Sequence, residues 1–299
     1  MSGVTVLNIL ESSLLNEETN NNNNNNVKQG KKRLKFPYDI IGVDEEVNKE
    51  LLKDFTGEKT GFVQVGPKKW FFPSGYVKEA ENYYNFEPRP DDVWVVTYPR
   101  SGTTWSQEMV WLLANNLDYE RAEKVPLVDR FPFLEFTSFI HDETLKEFVE
   151  ENKHCPENLE MVKNTATPAW KLLQAWKQRR FIKTHLPFDL LPPNLLKLGC
   201  KKLRSGIEKV STFLNQEYSK NELDILEEHL KFDNFQNNKS VNMDVYKRVG
   251  ILKSGEQGFI RKGKSGGWKD YFTQELNKKA DKWIEENLKT TDLTFPQIK

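Results

Sequence analysis

Val93-Trp-Val-Val-Thr-Tyr-Pro-Arg-Ser-Gly-Thr-Thr-Trp105 decides the fold of this chain. Its first four residues, Val93 to Val96, are apolar and read as a fully buried strand. A tight Pro/Gly turn follows. The chain then resumes as a helix, because Trp105, Met109, Leu112 and Leu113 recur at helical spacing. Such a turn aims backbone N–H groups at whatever lies before the helix N-terminus, where the helix dipole favours an anion. Gly102 lets a phosphate approach the backbone, and Thr103 and Thr104 add hydroxyl donors beside it. The stretch is a phosphate cradle, yet it is not the G-x-x-x-x-G-K-[ST] loop of the nucleotide triphosphatases.

These thirteen residues resemble the 5′-phosphosulfate loop of the cytosolic sulfotransferases. Two further motifs of that family stand in the same order. Phe181-Ile-Lys-Thr-His-Leu-Pro187 resembles its catalytic strand end, and Phe259-Ile-Arg-Lys-Gly263 followed by Gly266-Gly-Trp-Lys-Asp-Tyr-Phe272 resembles its C-terminal nucleotide loop. The resemblance implies an enzyme that moves a sulfuryl group from 3′-phosphoadenosine 5′-phosphosulfate to a hydroxyl or amine of a small molecule. It implies an α/β fold with a P-loop-like parallel sheet flanked by helices in a single domain.

Composition sets outer limits. The chain has 299 residues, 44 basic and 44 acidic, with a formal net charge of zero. No global field recruits nucleic acid or an anionic membrane, so any anion site is local. No run approaches the roughly 18 apolar residues of a membrane span, and the N-terminus lacks the pattern of a secretory signal. Two cysteines, Cys155 and Cys200, form no framework, so the cytoplasm is the expected compartment. Asn20 to Asn26 is an unbroken asparagine run followed by a basic stretch. Residues 1–35 therefore read as a disordered tail, and residues 36–299 as the sulfotransferase domain.

Periodicity along that domain predicts a helix over Val43 to Lys53, an edge strand over Gly61 to Val65 ended by Gly66-Pro67, and a second buried strand over Arg180 to Thr184. Helices are predicted over Glu143 to Asn152, Trp170 to Arg179, Gly206 to Leu214 and Glu222 to Phe232. Ser219 and Glu222 give the last a capping-box start. A doubly wound domain of this size should show four or five parallel strands; central strands are missing. The family resemblance locates the gap. Pro193 to Cys200 passes directly into Lys201 to Lys209, which matches the family well beyond the segment whose Arg and Ser hold the 3′-phosphate. An internal deletion near Cys200–Lys202, from a skipped exon or a misassembled gene, produces this pattern. The alternative function is then a catalytically inactive truncated form that binds nucleotide weakly or folds poorly.

His185, just past a strand end, is a candidate general base, since imidazole titrates near neutrality and an attacking hydroxyl must lose its proton. A buried core histidine is the plainer reading of such a residue taken alone. Lys183 lies two residues earlier, so both face one side if the strand continues, and it would hold charge on the transferring group. The resemblance gives Arg100 a charge-holding role in the loop, where most of the family carries Lys. Arginine keeps the charge as a planar fork that does not readily release a proton. Ser101, Gly102, Thr103 and Thr104 would hold the 5′-phosphosulfate and Trp105 would stack on adenine. Phe232 stands at a second adenine position or in the core. Arg261, Lys262 and Gly263 offer a guanidinium, an ammonium and a backbone N–H to the 3′-phosphate.

Phe133 and Phe136 match an apolar acceptor pocket, with His185 at its end, suited to hydrophobic alcohols, phenols or amines. The insertion His141 to Lys177 has the length of a pocket lid. No carboxylate cluster marks a metal site, which disfavours a kinase reading. The family's dimer motif is degraded, with Gln274 and Lys278 replacing its apolar and acidic members after Lys269 and Thr273.

Overall fold

The computed structural model describes residues 33–195, 207–253, 259–260, 263 and 267–289. The asparagine run, the expected deletion point, Arg261 and Lys262 lie outside the described residues.

Two small sheets organise the described residues. The first is antiparallel, with strands β1 (Ile40–Gly42), β2 (Phe62–Val65) and β3 (Trp70–Pro73) in that spatial order. Val65 pairs with both Ile40 and Trp70, so β2 is the middle strand rather than the edge that its sequence implies. The cause is the Gly66-Pro67 turn. Gly66 and Lys69 adopt left-handed φ of 65° and 52°, and Lys69 N donates to Gly66 O at 3.0 Å. The turn therefore returns the chain as the aromatic strand Trp70-Phe-Phe, which pairs readily.

The second sheet is parallel. Strand β4 (Val93–Val96) pairs with β5 (Phe181–Thr184) in the register Val93↔Phe181 to Val96↔Thr184. Both are strands that the sequence predicts. Alternation then divides the core: Val93, Val95 and Phe181 face one apolar cluster, while Trp94, Val96 and Ile182 face the other. Among the described residues no further strand pairs with the outer edge of β4.

Helix α1 (Glu45–Asp54) starts on an Asp44 side-chain cap, and α2 (Tyr76–Tyr84) buries Tyr76, Ala80 and Tyr83. Helix α3 (Thr103–Ala114) follows β4 and buries every residue from Gln107 to Leu113, as befits a central helix. The insertion folds as α4 (Asp142–Asn152), α5 (Pro156–Thr165) and α6 (Ala169–Ala175). It is tied down by His141 Nε2 on Glu58 Oε2 at 2.8 Å and by Asn152 Nδ2 donating to Val249 O at 3.1 Å. Helix α7 (Ile207–Phe213) and α8 (Lys220–Leu230) pack beside α3, and Ser219 with Glu222 forms the expected capping box. Helix α8 ends two residues earlier than its periodicity implies. Lys231 adopts an extended ψ of 142°, and Phe232 opens a separate short helix, Phe232–Phe235. Helix α9 (Gln274–Leu288) closes the described chain.

Two buried ion pairs hold these layers. Arg180 clamps Asp92 with two contacts of 2.6 Å at the base of β4 and β5, and Arg130 meets Glu108 of α3 at 2.8 Å. All four side chains are buried. Removing one partner of such a pair typically costs about 3–5 kcal/mol, because the other is left charged and unpaired.

Candidate active site

Among the described residues, the candidate residues of the cradle and of the Lys183–His185 strand end lie at the C-terminal ends of β4 and β5, the end at which open α/β sheets bind ligands. After β4, Arg100 takes a left-handed φ of 65° and Gly102 one of 90°. Gly102 caps α3 with no side-chain acceptor. A Cβ added at Gly102 would meet nothing within 4 Å, so the space before the helix is open. The first N–H groups of α3 have no intrahelical acceptor, the arrangement that binds anions at a helix start. Ser101 folds back on the loop by donating to Tyr98 O at 2.6 Å. The Thr103 hydroxyl is spent differently from the sequence expectation: it is buried and bonded to Thr97 Oγ1 at 2.6 Å, leaving Thr104 the more accessible hydroxyl.

His185 is anchored to this loop. Its Nδ1 lies 2.8 Å from Thr97 O, and a carbonyl only accepts, so Nδ1 carries the proton. The other nitrogen, Nε2, is left with its lone pair. Burial lowers the imidazole below its ordinary pKa of 6.5 against the opposing pull of the Thr97 carbonyl, so the ring is neutral at pH 7.

Lys183 and His185 meet on one ring. The Lys183 ammonium sits 4.1 Å from the Phe133 centroid, and the His185 imidazole packs edge-on to the same ring at 5.1 Å. Lys183 is buried, and among the described residues its ammonium has no hydrogen-bond or ion-pair partner beyond that aromatic face. Burial drops its pKa to about 8, partly offset by Glu135. Phe136 is tilted against Phe133 at 5.9 Å and stacks on Tyr246 at 5.1 Å. Phe139 completes this aromatic wall at 6.0 Å from Phe133.

The described residues expected on the nucleotide side also meet one another. The Arg100 guanidinium donates to Phe259 O at 3.3 Å, bridging the cradle to the C-terminal loop rather than turning to Phe133. Trp105 donates from Nε1 to Leu230 O at 3.0 Å. Phe232 lies so close to Gly263, whose φ is 59°, that a Cβ there would fall 2.1 Å from the ring. Only glycine fits that approach.

Sequence reasoning missed Glu135, Tyr246 and the two anchoring threonines, Thr97 and Thr184. Glu135 is fully buried, and it accepts from His185 N at 2.5 Å and from Thr184 Oγ1 at 2.8 Å. Burial pushes its pKa up to about 7 despite those bonds. The available signal was a single carboxylate inside the apolar run Phe131 to Phe136. Among the described residues no group of His, Cys, Asp or Glu is arranged to hold a metal ion, and no helix is long and apolar enough to cross a membrane.

The sulfotransferase domain family matches the chain in two segments, residues 90–203 and 200–292, which meet at the expected deletion point. Luciferin sulfotransferase of Photinus pyralis is 25% identical, over 82% of this chain and 84% of that protein. Sulfotransferase 1E1 of Bos taurus is 23% identical and covers 91% of its own length. Its alignment runs over 294 positions but uses 74% of this chain, so it carries residues for which this chain has no counterpart. A crystal structure of retinol dehydratase in complex with androsterone and the inactive cofactor PAP superposes with a TM-score of 0.76 at 31% identity, covering 89% of this chain and 100% of that one.

Proposed function

This chain belongs to the sulfotransferase domain family, and we propose that it moves a sulfuryl group from 3′-phosphoadenosine 5′-phosphosulfate to the hydroxyl or amine of a small hydrophobic acceptor. The observation that carries this reading is the fixed His185 tautomer. Nδ1 is committed to Thr97, so Nε2 is the free base, on a ring that packs edge-on to Phe133. Solved relatives with PAP bound, one with androsterone and one with retinol, support both the donor and the apolar acceptor class.

The donor supplies the sulfuryl group, and this chain's residues do the rest. The N–H groups at the start of α3, with the Thr104 hydroxyl and the Ser101 backbone, hold the 5′-phosphosulfate, while Gly102 leaves it room. Trp105 and Phe232 flank the adenine, and Gly263 with Arg261 and Lys262 holds the 3′-phosphate. Phe133 and Phe136 orient a flat acceptor so that its hydroxyl faces His185 Nε2. That nitrogen takes the proton as the acceptor oxygen bonds to sulfur and the sulfur–oxygen bond to the 5′-phosphate breaks, releasing adenosine 3′,5′-bisphosphate, a contribution typically worth about 10²–10⁴-fold. Lys183 offers a desolvated positive charge to the transferring group, where electrostatics act more strongly than in water. Arg100 supplies a second charge at the cradle mouth. In this reading the domain begins at Phe36, and the acceptor reaches a cytoplasmic enzyme by diffusion.

The second reading, an inactive shortened form, is favoured by the outer edge of β4, which has no partner strand among the described residues. A thermal melt with and without adenosine 3′,5′-bisphosphate separates the two. At a hundredfold excess over Kd a bound nucleotide adds about 3 kcal/mol, a rise of several degrees. That rise, followed by transfer of labelled sulfate to a phenol panel, supports the enzyme. A melt indifferent to nucleotide supports the inactive form.

A further inference from the structure

Glu135 has no part in the chemistry above, yet it controls the backbone that carries it. Phe133 forms a short parallel bridge with Lys183 on the side of β5 away from β4: Lys183 N donates to Pro132 O and Leu134 N donates to Lys183 O, both at 2.9 Å. One step further, such a ladder would give the His185 N–H to Leu134 O. The chain does not allow it. Phe136 N donates instead to Phe133 O at 3.2 Å, and residues Phe136–Phe139 turn into a 3-10 helix. The side chain of Glu135 fills the vacated place, with Oε1 accepting the His185 N–H at 2.5 Å. Its other oxygen accepts the Thr184 hydroxyl at 2.8 Å, and Thr184 Oγ1 in turn accepts Leu186 N at 3.0 Å. Three consecutive residues, 184 to 186, are thereby held from one buried carboxyl group.

We propose that Glu135 is the positioning residue of the active site: its carboxyl group replaces a backbone carbonyl at the end of the β5 ladder and thereby locks the His185 imidazole onto Thr97 with Nε2 free. This deepens the sulfuryl-transfer reading and rests on it for the use made of Nε2. The lock itself does not need turnover. Releasing the His185 N–H would free the peptide at the strand end, and the ring would no longer be held at 2.8 Å from Thr97 O. Glutamine can substitute at this position, since its carbonyl oxygen accepts from His185 N while its amide donates to Thr184 Oγ1. Alanine removes both contacts. Aspartate keeps a carboxylate but withdraws it by one methylene.

The chain has four histidines, so ¹⁵N-histidine labelling with a His185→Gln variant assigns the His185 ring signals. The wild type and Glu135→Gln are expected to show a single Nδ1–H tautomer at pH 8. Glu135→Ala is expected to show a mixture of tautomers. Its kcat for a phenol acceptor should fall about tenfold or more, with the Kd for adenosine 3′,5′-bisphosphate held within about twofold. Glu135→Asp, checked by its melt, gives the same mixture and decides the matter if the alanine variant does not fold. A folded alanine or aspartate variant with the single tautomer intact overturns the proposal, as does a glutamine variant that loses it. The transfer reading fails separately, through absent transfer in a wild-type chain whose tautomer is fixed.

Discussion

Replacing Lys183 with methionine should stabilise this protein while abolishing its chemistry. The ammonium is buried, and among the described residues it rests only on the Phe133 ring. Burial holds its pKa near 8 against an ordinary 10.5. At about 1.4 kcal/mol per pKa unit, keeping the charge in the folded state at pH 7 costs about 3 kcal/mol. The aromatic contact returns about 2 kcal/mol at most, so methionine should leave the fold more stable by about 1 kcal/mol or more. The sign follows from linkage. A lysine with a depressed folded pKa destabilises the fold fully below pH 8, and the penalty fades as pH rises from 8 towards 10.5. The advantage of Lys183→Met should therefore shrink by about 1 kcal/mol between pH 7 and pH 9. Thermal melts at the two pH values read this directly, at about 2–4 °C per kcal/mol for larger domains. A methionine variant that melts below the wild type at pH 7, or whose difference is the same at pH 9, refutes the reasoning. Lys183 would then be a structural residue.

Three further outcomes follow from the same geometry. The pH profile of kcat/KM should rise through the His185 titration below 6.5 and fall above about 8 as Lys183 loses its proton; Lys183→Arg should move the alkaline limb upward. Arg180→Ala leaves Asp92 buried and unpaired, and denaturant unfolding should show a loss of about 3–5 kcal/mol. Gly263→Ala sets a Cβ 2.1 Å from Phe232 at a positive φ, so titration calorimetry should show adenosine 3′,5′-bisphosphate binding weakened about tenfold or more, equivalent to about 1.4 kcal/mol.

What the sequence made legible depended on how local each signal is. Strands β4 and β5, the Gly102 turn into α3 and the start of α8 are written in runs of neighbouring residues, and all stand where their patterns imply. Strand β3 was hidden because its identity comes from pairing across the Gly66-Pro67 turn, not from its own four residues. Helix α5 has no predicted counterpart; Pro156 opens it, and at the first helical position its missing N–H costs nothing. The ion pairs of Arg180 and Arg130 join residues far apart in the chain, and no spacing announces them. Glu135 belongs to the same class. Its role exists only because the ladder beside β5 stops one residue short.

Helix α3 begins at Gly102, which has no side chain to cap it, and among the described residues no side chain accepts from its first N–H groups, the arrangement that draws anions. Any small oxyanion in the tube can take that place. Phosphate or sulfate used as an ordinary buffer salt would then compete with the nucleotide, raise the apparent melting temperature and slow transfer together. Stability and activity measured for this protein become properties of the protein and its buffer, and a weakly coordinating buffer at matched ionic strength is the reference state.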